Sequence, residues 1–210
     1  MGLVAAAEVL LPAKAAGRGV GAFNVIQLEH AEALVAGAQR AGSPVILQVS
    51  QNAARYHGSL EPIGLATLAV ARAAAVPVVV HLDHATESTL VDQAIGLGFT
   101  SVMFDASALA YRENVAQTAE VVRRAHDAGV WVEAELGEVG GKDGVHAPGA
   151  RTDPGQAVDF VTATGVDALA VAVGSSHAMI ERTAALDLQR ITELAAAVDV
   201  PLVLHGSSGV

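Results

Sequence analysis

Short runs of Val, Ile and Leu recur along this chain, separated by longer Ala-rich segments whose apolar positions repeat every three to four residues. The first pattern suits strands buried on both faces and the second suits amphipathic helices. The alternation therefore predicts βα units around a parallel sheet. Strands are expected at residues 20–25, 44–50, 76–84, 101–107, 131–137, 168–174 and 201–206. Helices are expected at 27–40, 59–74, 87–97, 111–128, 154–164 and 186–197, with one more ahead of the first strand. Gly42, Gly98, Gly129 and Gly165 stand where several of them should end.

Seven right-handed βα steps nearly complete an eight-stranded (β/α)8 barrel, the TIM barrel. A doubly wound sheet usually has fewer strands and a glycine-rich first turn, and the first turn here, FNVIQLEH, has no glycine. The expected architecture is thus an α/β TIM barrel of about seven βα units, with residues 1–210 forming one domain. The last residues, LHGSSGV, follow the seventh strand without an eighth, and such barrels typically run to about 250 residues. The barrel is therefore expected to be incomplete at its C-terminus.

With 52% hydrophobic and 16% charged residues, the chain has enough apolar surface for a large core, which excludes a disordered polymer. Its net charge of −10, with no Lys/Arg run, argues against nucleic acid as a partner. The absence of cysteine removes disulfides, thiolate catalysis and thiolate metal ligands from these residues. No segment reaches the roughly 18 uncharged apolar residues of a membrane span, and the start lacks a basic n-region. A soluble cytoplasmic protein with no membrane partner is expected.

Polar residues gather at the C-terminal ends of the predicted strands. Asn24, Ser50, the trio His81, Asp83 and His84, Asp105, Glu133 with Glu135, Ser175 to His177, and His205 take these positions in turn. In a parallel barrel all such ends meet at one rim, where these barrels carry their chemistry. A lone histidine there is usually satisfied by backbone or water. Histidines from three strand ends can instead bind a divalent metal, leaving a fourth position open for water or substrate. Ideal alternation puts His81 and Asp83 on one face and His84 on the other, but at the strand end that parity relaxes. His84 can then be a ligand with Asp83 beside it as an acid or base. The HGSSGV loop offers successive backbone N–H groups and hydroxyls of the kind that hold phosphate.

HLDH, EAELG, VGSSH and LHGSSG, at the ends of the third, fifth, sixth and seventh strands, resemble in order and spacing the class II, metal-dependent fructose- and tagatose-bisphosphate aldolases. The resemblance implies catalytic Zn2+ on His84, His177 and His205, and a second divalent or a monovalent cation near Asp105 and Glu135. It implies Asp83 as the acid that protonates the aldehyde oxygen, substrate contacts at Asn24 and Ser50, and a phosphate loop of Gly206, Ser207 and Ser208. The substrate would be a phosphorylated sugar, fructose or tagatose 1,6-bisphosphate, cleaved reversibly to dihydroxyacetone phosphate and glyceraldehyde 3-phosphate. Zinc would polarise the ketone and stabilise the enediolate. The family also implies a homo-oligomer, a dimer or tetramer.

A Schiff-base route needs a desolvated lysine at a strand end, whereas the only lysines are Lys14, before the first strand, and Lys142, in a glycine-rich loop. Two departures from the family stand out. The loop GEVGGKDGVHAPGARTDP carries Lys142 and Asp143 where the family has a Glu-Asp pair with the enolising glutamate, so Asp143 or Glu138 is the candidate base, with His146 more distant. Ala178 replaces the glycine after the second histidine ligand. The altered loop sustains an alternative, an aldolase-like protein that binds a metal or sugar phosphate with lost or altered activity. His81 is expected either to orient a ligand or to be a satisfied core residue, and His30, His57 and His126 have no assigned role.

Overall fold

The computed structural model describes residues 2–136, 151–175, 177 and 181–210. Among them seven strands lie side by side in chain order, and each strand pairing with a defined register is parallel. The chain packs as two compact units, Met1–Phe104 with Arg123–Val132, and Asp105–Val122 with Glu133–Val210.

The first unit begins with β1 (Gly2–Leu3), α1 (Ala6–Ala15), β2 (Ala22–Asn24) and α2 (Leu28–Ala41). It continues through β3 (Val45–Ser50), α3 (Gln51–Tyr56), α4 (Leu60–Ala73), β4 (Pro77–Ala85), α5 (Ser88–Leu97) and β5 (Ser101–Phe104). β4 is its centre, with β3 along one edge from Val45↔Val78 to Ser50↔Asp83 and β5 beside its second half from His81↔Ser101. Val78, Val79, Val80 and Leu82 have no exposed surface, so β4 is covered on both faces, as a parallel strand flanked by helices must be. On β3 burial alternates instead. Val45, Leu47 and Val49 are buried, while Ile46, Gln48 and Ser50 on the other face are partly open. α1 lays Ala6 and Val9 against Val79, with Ile46 and Trp131 packed around them.

The second unit contains most of α6 (Tyr111–Asp127) and the end of β6 (Trp131–Glu135), then α7 (Pro154–Thr164), β7 (Ala168–Ala170), α8 (Leu188–Ala197) and β8 (Leu202–Val203). β6 pairs with β7 from Glu133↔Ala168 to Glu135↔Ala170, and β7 pairs with β8 at Leu169↔Leu202 and Ala170↔Val203. Phe160 of α7, Leu169 of β7 and Leu194 of α8 are fully buried and build the core.

The seven expected strands are β2 to β8, and the expected helices all form. The sequence pattern missed β1, of two residues, and α3, of six, because neither is long enough to show a period. α3 does have a start signal, since Ser50 Oγ accepts from Ala53 N at 3.1 Å as an N-cap. Gly42, Gly98 and Gly165 end α2, α5 and α7 in the left-handed conformation, as their positions suggested.

Several strands stop earlier than their apolar runs. β5 ends at Phe104 rather than 107 because Asp105 Oδ1 accepts from both the N–H (3.2 Å) and the hydroxyl (2.6 Å) of Ser107, folding the backbone into a turn. β7 ends at Ala170 and β8 at Val203, leaving Val171–Ser175 and Leu204–His205 as loop that carries polar groups.

Gly174 lies in that first loop with φ +110°, and a Cβ there would collide with the carbonyl oxygen of Ala185. Gly174→Ala combines a disfavoured backbone with a steric clash and should destabilise the fold by about 2–4 kcal/mol. Urea denaturation of the variant beside the parent measures this, and an unchanged midpoint would refute it.

Candidate functional site

In the first unit the candidate residues stand at the ends of β2, β3 and β4. Register shifts between Leu82 and Ala85, where three steps of β4 face two steps of β5, since Leu82 pairs with Val102 and Ala85 with Phe104. The extra residue makes a bulge that takes in Asp83 and His84. His84 adopts φ +49°, the only positive φ at a non-glycine among the described residues. This resolves the alternation problem, because the bulge breaks the two-residue period between Asp83 and His84. Their side chains lie together, with His84 Nε2 at 4.0 Å from Asp83 Oδ1. Asp83 is 4% exposed, and its Oδ1 is buried without a hydrogen-bond partner. Buried polar atoms in that state are rare and mark strain, catalysis or an absent ligand.

Around the bulge the backbone is held from outside. Gln51, buried at the start of α3, donates from Nε2 to Thr86 Oγ1 at 2.9 Å and accepts from Thr86 N at 3.0 Å, clamping the chain two residues past His84. Sequence reading missed Gln51, whose only cue was its place directly after the Ser50 cap. Ser50 itself ends β3 with its hydroxyl engaged as that cap, and Asn24 ends β2 with Oδ1 accepting from Gln48 Nε2 at 2.8 Å. His81 is buried with Nδ1 at 2.7 Å from Ser101 Oγ, a hydrogen-bonded core residue. His30 Nδ1 accepts from the N–H groups of Ile26 and Gln27 at the start of α2, and His57 Nε2 lies 2.6 Å from Ile26 O. Both pin the β2–α2 connection.

The second unit gathers two donor pairs. His177 and His205 present ring nitrogens within 4.8 Å of one another, and their ring centres are 5.5 Å apart at an angle of 44°. Asp105 and Glu135 bring carboxylate oxygens within the same 4.8 Å. Glu135 is fully buried and Asp105 is 6% exposed. Two carboxylates this close in a low-dielectric interior repel one another, and a cation between them offsets that repulsion. Nitrogen donors in one pair and oxygen donors in the other suit a borderline ion such as zinc and a harder cation respectively.

The remaining phosphate-loop candidates follow His205. Gly206 has φ +66° and leads into a 3-10 turn at Ser207–Gly209, in which Ser208 lies. The candidate bases Glu138 and Asp143, together with Lys142, His146 and Ala178, lie outside the described residues. A cavity of about 240 Å³ in this unit is lined by Ser107, Tyr111, Asn114, Arg151, Thr152 and Gln156 among others, and none of the residues expected from sequence faces it. Among the described residues no helix is long and apolar enough to cross a membrane.

The backbone demand at His84 can be probed by substitution. Asn tolerates the left-handed region, whereas a β-branched side chain is disfavoured there by about 1–2 kcal/mol. His84→Asn should therefore melt close to the parent and His84→Val clearly below it in a thermal denaturation of the two variants. Equal melting of the two variants would show that the bulge does not constrain this position.

The family profile described as fructose-bisphosphate aldolase class-II matches residues 4–210. The chain is 43% identical over 214 aligned residues to the "Probable fructose-bisphosphate aldolase" of Bacillus subtilis (strain 168), covering all of this chain and 75% of the relative. It is 42% identical, with the same coverage, to the fructose-bisphosphate aldolase of Staphylococcus aureus (strain Mu50). The crystal structure of the YdjI aldolase from Escherichia coli K12 superposes with a TM-score of 0.85 at 33% identity, over 99% of this chain and 73% of that one. The fold expected from the strand pattern, successive βα units of a TIM barrel, is therefore the one shared with solved aldolases. The chain belongs to the class II fructose-bisphosphate aldolase family.

Proposed function

We propose that the protein is a metal-dependent carbon–carbon lyase that reversibly cleaves fructose 1,6-bisphosphate or tagatose 1,6-bisphosphate to dihydroxyacetone phosphate and glyceraldehyde 3-phosphate. In this reading residues 1–210 act as one catalytic domain of a cytoplasmic homodimer or homotetramer. The observation that supports it most directly is the β4 bulge, which puts a buried, incompletely hydrogen-bonded carboxylate, Asp83, beside an imidazole, His84.

By resemblance to the family, His84, His177 and His205 would hold a divalent ion and Asp105 and Glu135 a second cation, and the two donor pairs of the second unit suit such ions. A bound divalent ion supplies Lewis acidity at the ketone and hydroxyl oxygens of the substrate. In the cleavage direction Asp83 takes the proton from the C4 hydroxyl as the C3–C4 bond breaks, and the electron pair of that bond stays with the ketone half. In the addition direction Asp83 returns the proton to the aldehyde oxygen. Burial keeps bulk water from exchanging with this proton, and the neighbouring bulge fixes the carboxylate in place.

Backbone N–H groups around Gly206, Ser207 and Ser208 receive a substrate phosphate, and Asn24 and Ser50 contact the sugar. The loop bearing Glu138 and Asp143 supplies the base that removes the proton from dihydroxyacetone phosphate in the addition direction.

Both hexose bisphosphates should be offered to the purified protein, with chelator and with zinc restored. Cleavage of at least one that is abolished by chelation and recovered with zinc is the expected result. Cleavage indifferent to chelation refutes the metal reading. Zinc binding without cleavage of either sugar supports instead a binding protein with lost or altered activity. Asp83→Ala should lower turnover by at least about 100-fold, and near-normal turnover would assign the proton to another group.

A further inference from the structure

Glu133 is the strand-end carboxylate to which neither the family motif nor the donor pairs give a task. It lies on β6 two residues before Glu135, so the two side chains leave the same face of the strand one pleat apart. Glu135 pairs with Asp105, while Glu133 Oε1 sits 2.7 Å from His205 Nε2. Both partners are 9% exposed at their side chains, and the contact joins positions 72 residues apart, from β6 to the loop after β8.

A carboxylate only accepts hydrogen bonds, so a 2.7 Å contact places a proton on His205 Nε2. In the neutral imidazole this leaves the lone pair on Nδ1. We propose that Glu133 is a positioning residue for the metal site: it sets the His205 tautomer and ring angle, so that Nδ1 is the ligand atom. This rests on the reading of His205 as a metal ligand. The chemistry is general, since a carboxylate on the far nitrogen of a ligating imidazole orients the ring and raises its basicity. EAE on β6 thus has two duties one pleat apart, with Glu135 toward the Asp105 cation position and Glu133 beneath the histidine.

The test combines histidine tautomer NMR with zinc competition titration. In the metal-free parent, two-bond 1H–15N correlations should show His205 protonated at Nε2 and bare at Nδ1. A parent His205 protonated at Nδ1 overturns the proposal whatever the variants do. Glu133→Ala should raise the zinc dissociation constant about 10–100-fold and mix the tautomers. Glu133→Gln, which keeps an accepting oxygen, should hold the Nε2–H tautomer and bind zinc more tightly than the alanine variant.

Parental zinc affinity in a folded Glu133→Ala overturns the positioning role while leaving the metal site standing. Zinc affinity in the glutamine variant as weak as in alanine, with melting lowered in parallel, assigns the pair to stability alone and also overturns it. A parent that binds no zinc removes both this proposal and the metal reading beneath it.

Discussion

One surplus residue in β4 is the constraint from which the placement of the polar strand-end groups of the first unit follows. A regular parallel strand would send Asp83 and His84 to opposite faces. With three steps of β4 set against two of β5, the backbone turns through a left-handed His84 and the alternation breaks. A non-glycine residue in that region is held against its own preference and persists only where surrounding structure over-determines it. The β3–β4 ladder and, directly after it, the Gln51–Thr86 clamp provide that support. Val78, Val79, Val80 and Leu82, all without exposed surface, anchor the strand that carries the distortion.

The same economy governs the polar groups beneath the surface. Asp105 is held by Ser107, Glu133 by His205, and His81 meets Ser101. Asn114 donates to the carbonyl of Glu135 and accepts from Thr118. These contacts turn groups that would be destabilising if unpaired into orienting contacts. Asp83 differs, since one of its buried oxygens lacks such a partner. A buried carboxylate oxygen in that state is costly to keep, which sets Asp83 apart from the paired groups around it.

Family membership and local physics contribute different things. The match over residues 4–210 establishes the relationship. The donor pairs and the bulge supply reasons why particular side chains suit metal and proton chemistry. The Lys142–Asp143 departure lies outside the described residues.

The strand and helix order was legible because long buried runs and amphipathic periods are local signals. The clustering of His, Asp and Glu at strand ends was legible because parallel topology collects those ends. Elements shorter than a period, β1 and α3, were not. Nor were the early ends of β5, β7 and β8, where side-chain turns and a positive-φ glycine override apolar content. The register slip at Asp83 and His84 is a property of the β4–β5 pair, and the Glu133–His205 contact spans 72 residues. The sequence by itself determined which residue types stand at the strand ends. Tertiary structure alone decided which faces they occupy and which nitrogen of His205 meets a carboxylate, because strand pairing and long-range packing set those orientations.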